Sequence, residues 1–178
     1  MPFPCSIPER NQITPSHIEK VFELVNRAYA PLYSVVALSE EQIKKYARKF
    51  IPMVHPDLLC LVMDENENLV AFGVCVPSMA EALKRCRGKL FPTGWMGILK
   101  SLKTNDTMDL LLIAVLPELQ GMGINAVVMD HILTGANKLG ITHAETGPTL
   151  ETNLKVQSQW SFFPHEQHKR RRCYVKDI

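Results

Sequence analysis

The chain is 178 residues long, 46% apolar and 21% charged, with a formal net charge of +2. That net charge is too small to imply nucleic acid by itself, and the longest apolar run, residues 110–116, is far too short to span a bilayer. The opening Met1-Pro2-Phe3-Pro4-Cys5 lacks the basic-then-apolar layout of a secretory signal, so a single domain over 1–178, cytoplasmic and with no membrane contact, is expected.

Cysteine usage agrees with a reducing compartment. Cys5, Cys60, Cys75, Cys86 and Cys173 are scattered, odd in number and form no CxxC pair. This argues against a disulfide framework and more strongly against a zinc-finger type of site. Cys60 and Cys75 fall inside predicted strands, where a thiol usually acts as a small buried hydrophobe.

In chain order, Thr14 or Ser16 can cap a helix over 16–29. Its Ile18, Val21, Phe22, Val25 and Ala28 share one face, and Pro31 ends it. Ser39 with Gln42 makes a capping box for a second helix, roughly 40–50. After Pro56, strands near 58–63 and 69–76 flank the polar turn Asp64-Glu65-Asn66-Glu67-Asn68 and read as a hairpin. Residues 77–106 are less regular. Ser78 can cap a short helix through Cys86, then Gly88, Pro92 and Gly94 interrupt before a helical run around 95–102.

An apolar strand is predicted near 107–115 and a long helix near 120–139. That helix puts Ile124, Val127, Val128, His131, Ile132 and Leu139 on one face, and Gly140 stops it. A strand at 141–146, a short helix at 151–160 and a closing strand near 169–176 complete the chain. The order implies a mixed α/β fold: a central mixed, mostly antiparallel sheet flanked by helices, in which a hairpin leads into a right-handed strand–helix–strand crossover. The most informative segment is the junction at 110–125. There an apolar strand meets Pro117, then Gln120-Gly121-Met122-Gly123-Ile124-Asn125 opens a helix. Free backbone N–H groups at the positive end of a helix dipole suit an anion, most often a phosphate.

These residues resemble the GNAT acetyltransferase superfamily. Its phosphate-binding signature is Gln or Arg, two residues, Gly, one residue, then Gly or Ala, after a strand ending Val-x-Pro. Val115-Leu116-Pro117 precedes Gln120 and Gly123, which match, while Asn125 departs from the small final residue. The family also carries Asn-x-x-Ala with a Tyr four residues later. Here Asn153 and Val156 fill the first two positions, and Trp160 stands where the Tyr would be. The resemblance covers about residues 10–178, although the first family strand is hard to find before Ile13. The segment from Pro77 to Trp95 resembles an insert of a less studied branch whose members can be longer, so 77–106 reads as a family-specific insert.

The resemblance implies an acyl-CoA cofactor, acetyl-CoA or another acyl-CoA. Its pyrophosphate would lie on the backbone of Gln120, Gly121, Met122, Gly123, Ile124 and Asn125, with Asn153 as a further cofactor-binding residue. Its pantetheine arm would pair with Ile113 and Val115 as a pseudo-strand. It further implies direct transfer to a primary amine of a small molecule or a protein. Glu145 is the best candidate for the base, ahead of Asp109. Indole cannot serve as a proton donor near neutral pH, so Tyr174 is the candidate replacement acid. Tyr29, Tyr33, Phe91, Trp95 and Trp160 are candidates for the acceptor pocket. His131 reads as a core histidine, and Glu118 is expected to face solvent.

Two other readings stay open. One is a non-catalytic module of the same fold that binds acyl-CoA. The other is an RNA contact through His168-Lys169-Arg170-Arg171-Arg172, which more simply reads as a solvated strand edge; nucleic acid is not an expected partner. A homodimer is left open.

Overall fold

The computed structural model describes residues 15–33, 35–50, 53–172 and 174–176. Cys5, Ile13, Thr14 and Cys173 lie outside them. The chain divides between Gly147 and Pro148 into two units.

In the first unit, α1 (Pro15–Tyr29) and α2 (Glu40–Phe50) precede the hairpin β1 (Leu59–Met63) and β2 (Leu69–Pro77). The capping box before α2 forms both of its bonds. Ser39 N–H donates to Gln42 Oε1 at 2.9 Å, and Gln42 N–H donates to Ser39 Oγ at 3.4 Å. The hairpin turn is tied by Asp64, whose Oδ1 accepts from the N–H groups of Asn66 (2.9 Å) and Asn68 (2.7 Å). Helices α3 (Ala80–Arg85) and α4 (Gly94–Lys103) form the insert before β3 (Thr107–Val115). A 3-10 turn at Pro117–Leu119, then α5 (Ile124–Lys138) and β4 (His143–Thr146), follow.

The sheet order is β1-β2-β3-β4. The first two pairings are antiparallel and β3–β4 is parallel, joined through α5. Its two faces bury two cores. On one face α1 sets Val21, Leu24 and Val25 against Leu61, Met63, Phe72 and Ala114. On the other α5 sets Ile124, Val128, Ile132 and Ala136 against Cys60, Val62, Val70 and Val115. Together these two layers bury the apolar area that holds the unit, at about 25 cal/mol per Å². His131 is half-buried on α5, where the sequence places a core histidine. Helix α5 lies close on the 3-10 turn Pro56–Leu58 because residue 135 is Gly. A Cβ there would sit 1.8 Å from the Asp57 carbonyl oxygen.

The second unit holds α6 (Leu154–Gln159) and a 3-10 turn at Trp160–Phe162. Asn153 caps α6, its Oδ1 accepting from Val156 N–H at 3.4 Å. The closing strand expected near 169–176 does not form among the described residues. Residues 164–172 are all exposed, and a run of like charges offers no apolar face for a sheet to bury. Arg170 pairs there with Glu151, holding that carboxyl below its ordinary pKa.

Among the described residues no helix is long and apolar enough to cross a membrane.

Candidate active site

The site begins with an irregularity in β3. Val74 pairs with Leu112, but Cys75 pairs with Leu110, so Leu111 is an extra residue in the ladder. Such a bulge reverses the side-chain alternation beyond it. Met108 and Leu110 face the α5 core before the bulge, and Ile113 and Val115 face it afterwards. Leu112 and Ala114 face the α1 core.

The bulge also marks where β3 and β4 part. Their parallel pairing runs only from Thr107↔His143 to Leu110↔Thr146. From Leu111 to Val115 this edge of β3 has no strand partner among the described residues. Leu116 N–H donates to Val70 O at 2.9 Å. In an antiparallel ladder hydrogen-bonded pairs alternate. The residues turned toward β2 are therefore Ala114 and Leu112, and Ile113 and Val115 direct their N–H and C=O groups to the open edge.

Two side chains meet those carbonyls. The Tyr29 hydroxyl, from the last turn of α1, donates to Ile113 O at 2.9 Å. The Gln120 Nε2 amide donates to Val115 O at 3.3 Å. Burial pushes the Tyr29 phenol above its ordinary pKa, against the smaller lowering effect of its bond to Ile113. Arg27, two residues earlier on α1, pairs with Glu118 at 2.7 Å, so Glu118 is exposed but engaged. The end of α1 is thus tied to both the strand edge and the turn that follows it.

That turn is shaped by two glycines. Gly121 has φ +84° and Gly123 φ +83°, and a Cβ at either would meet nothing within 4 Å. The glycines are needed here for the left-handed backbone and leave the space over the turn open. Gly121, Met122 and Gly123 are exposed, whereas Ile124 is buried in the core and Asn125 is half-buried. Gly123 caps α5 with no side-chain bond to the helix end, and no acidic residue lies in the first turn. A 15-residue helix therefore begins here with its positive end at the turn and no carboxylate in its own first turn. The helix begins at Ile124 and not near residue 120, because the chain first makes the 3-10 turn and then two left-handed residues.

Of the residues considered for chemistry, Glu145 is half-buried on β4 and stands opposite Asp109 on β3. The parallel register puts both carboxylates on one face of the sheet. Tyr33 and Phe91 are 80% and 84% exposed, and Trp95 is 45% exposed. Among the proposed pocket aromatics, Tyr29 alone is tied to the strand edge by a described hydrogen bond. Asn153, Trp160 and Tyr174 belong to the second unit. There Trp160 packs at a tilt on Phe163, 6.4 Å between ring centroids, and Tyr174 is exposed. The Tyr29–Ile113 and Arg27–Glu118 ties span 84 and 91 residues and carry no local signal in the sequence.

The chain is similar to known proteins in sequence and in fold. The sequence model of the acetyltransferase (GNAT) family matches residues 18–158. Protein YghO of Escherichia coli (strain K12) is 26% identical over 162 residues, which is 88% of this chain but 41% of that protein. Among solved structures, a GNAT-family acetyltransferase from Staphylococcus aureus Mu50 superposes with a TM-score of 0.61 at 12% identity, covering 89% of this chain and 82% of that one. The aminoglycoside 6'-N-acetyltransferase AAC(6')-Ih from Acinetobacter baumannii gives 0.59 at 15%, covering 98% and 99%. The aminoglycoside N-acetyltransferase AAC(6')-Iy in complex with CoA gives 0.60 at 12%, covering 99% and 97%. At such identities these superpositions establish the shared fold.

Proposed function

Since the chain belongs to the acetyltransferase (GNAT) family, we propose that it is an acyl-CoA-dependent N-acyltransferase, using acetyl-CoA and acting on a primary amine of a small molecule or a protein. One observation carries the reading. A strand edge, Leu111–Val115, with no strand partner among the described residues runs into a left-handed glycine turn at the positive end of α5, whose first turn holds no acidic residue. A pyrophosphate fits the open space over Gly121 and Gly123, and an extended amide chain fits the edge beside Ile113 and Val115.

In this reading the backbone N–H groups of Gln120 to Asn125 hold the phosphates, and the Gln120 side chain ties the turn to the end of β3. The N–H groups of Ile113 and Val115 orient the pantetheine arm, and Asn153 is a further cofactor contact. The bound group supplies an acyl thioester. Glu145 accepts the proton of the acceptor ammonium, and Tyr174 returns one to the leaving thiolate. Tyr29, Tyr33, Phe91, Trp95 and Trp160 supply acceptor contacts. Free thiols at Cys60, Cys75 and Cys86 fit a cytoplasmic setting.

The test has two parts. Acetyl-CoA at millimolar concentration should raise the melting temperature, and absence of any shift would sink the cofactor assignment. A panel of amines should then release free CoA thiol. Binding without release to any amine would favour a non-catalytic acyl-CoA-binding module, a reading to which the indole of Trp160 lends weight because it offers no transferable proton.

A further inference from the structure

The insert between β2 and β3 carries an exposed apolar and basic surface of which the acyltransfer reading uses Phe91 and Trp95 alone. Helix α4 reads Gly94-Trp95-Met96-Gly97-Ile98-Leu99-Lys100-Ser101-Leu102-Lys103. Its partly covered residues are Gly94, Ile98, Ser101 and Leu102, the side that packs toward α3 and β2. Its exposed side holds the larger apolar groups: Trp95 at 45%, Met96 at 56% and Leu99 at 51% exposure. At 100° per residue these three fall with Lys100 and Lys103 inside an arc of about 140°. Large apolar side chains and lysines thus share one outward face, while Ile98 and Leu102 are partly covered on the other.

The loop before α4 extends this face. Leu90 is 45% and Phe91 84% exposed. The loop is knitted to the helix, with Trp95 N–H donating to Leu90 O at 3.0 Å and Trp95 Nε1 donating to Pro92 O at 2.9 Å. The Trp95 indole is therefore held by a formed loop–helix junction. Charge is concentrated in the same place. Residues 80–103 contain six basic side chains, Lys84, Arg85, Arg87, Lys89, Lys100 and Lys103, against Glu81 alone. The other residues hold fourteen basic and seventeen acidic groups (20 less 6, and 18 less 1), so the insert turns a net acidic chain basic. No acidic residue occurs from Ala82 to Asn105.

We infer that this insert docks on an anionic lipid surface. Phe91, Trp95, Met96 and Leu99 enter the headgroup–acyl boundary, and the flanking lysines and arginines reach up to the headgroups. Aromatic and aliphatic groups interleaved with lysines on one helix face, with uncompensated positive charge around them, are what such a boundary recognises. A soluble acidic partner would satisfy the charges but leave the apolar face without a complement. The expectation of no membrane contact rested on the lack of a spanning segment; a helix lying in the interface needs none.

The test uses the whole chain with Trp160→Phe, so that Trp95 is the only indole. Flotation with phosphatidylcholine vesicles is compared with flotation on equimolar phosphatidylglycerol–phosphatidylcholine at low salt. The chain should bind the anionic vesicles, and Trp95 emission should shift blue and be quenched by brominated lipid. Met96→Glu/Leu99→Glu and Lys100→Glu/Lys103→Glu should each lower partitioning by about tenfold or more. Both double variants change exposed positions, so melting temperature should stay near that of the parent. Absence of binding to anionic vesicles, unchanged partitioning in both variants, or unshielded Trp95 would overturn the inference. Self-association that Met96→Glu/Leu99→Glu abolishes, without vesicle binding, would assign the face to a second copy of the chain.

Discussion

Substitution at Gly123 separates the two things that this residue does. Its φ is +83° and a Cβ would touch nothing within 4 Å, so Ala meets no clash and pays only the left-handed backbone strain, about 1–2 kcal/mol. For a chain of this length that corresponds to a melting temperature lower by roughly 2–8 °C. Asn tolerates the left-handed region and should fall less. Glu carries the same strain as Ala, but its carboxylate at the N-terminus of α5 recovers about 0.3–1 kcal/mol. Without ligand, Gly123→Glu should therefore melt at or above Gly123→Ala. With ligand the order reverses. Each unit-charge pair at 4 Å costs about 1 kcal/mol in water and about 4 kcal/mol at a partly buried site. Against two phosphates, Glu should weaken CoA binding by about 30-fold or more, while Ala should lose about tenfold at most. Calorimetric titration of each variant with CoA, beside melting curves of the unliganded proteins, reads both orders. Equal loss of affinity in Ala and Glu would refute a phosphate at this helix end.

Gly135→Ala should be the most damaging small change in the first unit. Its Cβ would lie 1.8 Å from Asp57 O and 2.7 Å from Asp57 C, so α5 has to move off the 3-10 turn. A loss of about 3 kcal/mol, seen as a melting temperature lower by roughly 6–12 °C, is expected. Tyr29→Phe removes the donor to Ile113 O and should cost about 1 kcal/mol in denaturant titration; no change would mean the tie contributes nothing to holding α1. Burial pushes the Cys60 and Cys75 thiols from 9.0 up to about 12. Their folded-state pKa is raised, so the stability they contribute is complete below pH 9 and is lost as pH rises from 9 toward 12. Thiol labelling of the native protein at pH 8, mapped by mass spectrometry, should accordingly find Cys86 modified and Cys60 and Cys75 untouched.

Features set by neighbours in the chain were legible from sequence. The Ser39–Gln42 box, the Asp64 turn and the apolar strand at 107–115 all form as their residue types dictate. The glycine turn was legible as the opening of a helix, but the start of α5 was misplaced because a 3-10 turn and a helical turn have similar local patterns. The bulge was hidden for a different reason. Leu110, Leu111 and Leu112 are identical, so nothing in the run marks which one is extra. The closing strand was read from residue types that could pair, and the missing ingredient is a face to bury. The Tyr29–Ile113 tie follows from packing α1 across the sheet, which no local pattern encodes.

The extra residue at Leu111 has a consequence for how such a chain can change. It makes β3 two strands spliced out of phase. Upstream, Asp109 stands opposite Glu145; downstream, Ile113 and Val115 present the open edge. Substitutions in the upstream half alter what the carboxylate pair meets without disturbing the phase of the downstream half. One strand can therefore hold the phase of its open edge constant while its other half changes, and a deletion at position 111 would couple the two again.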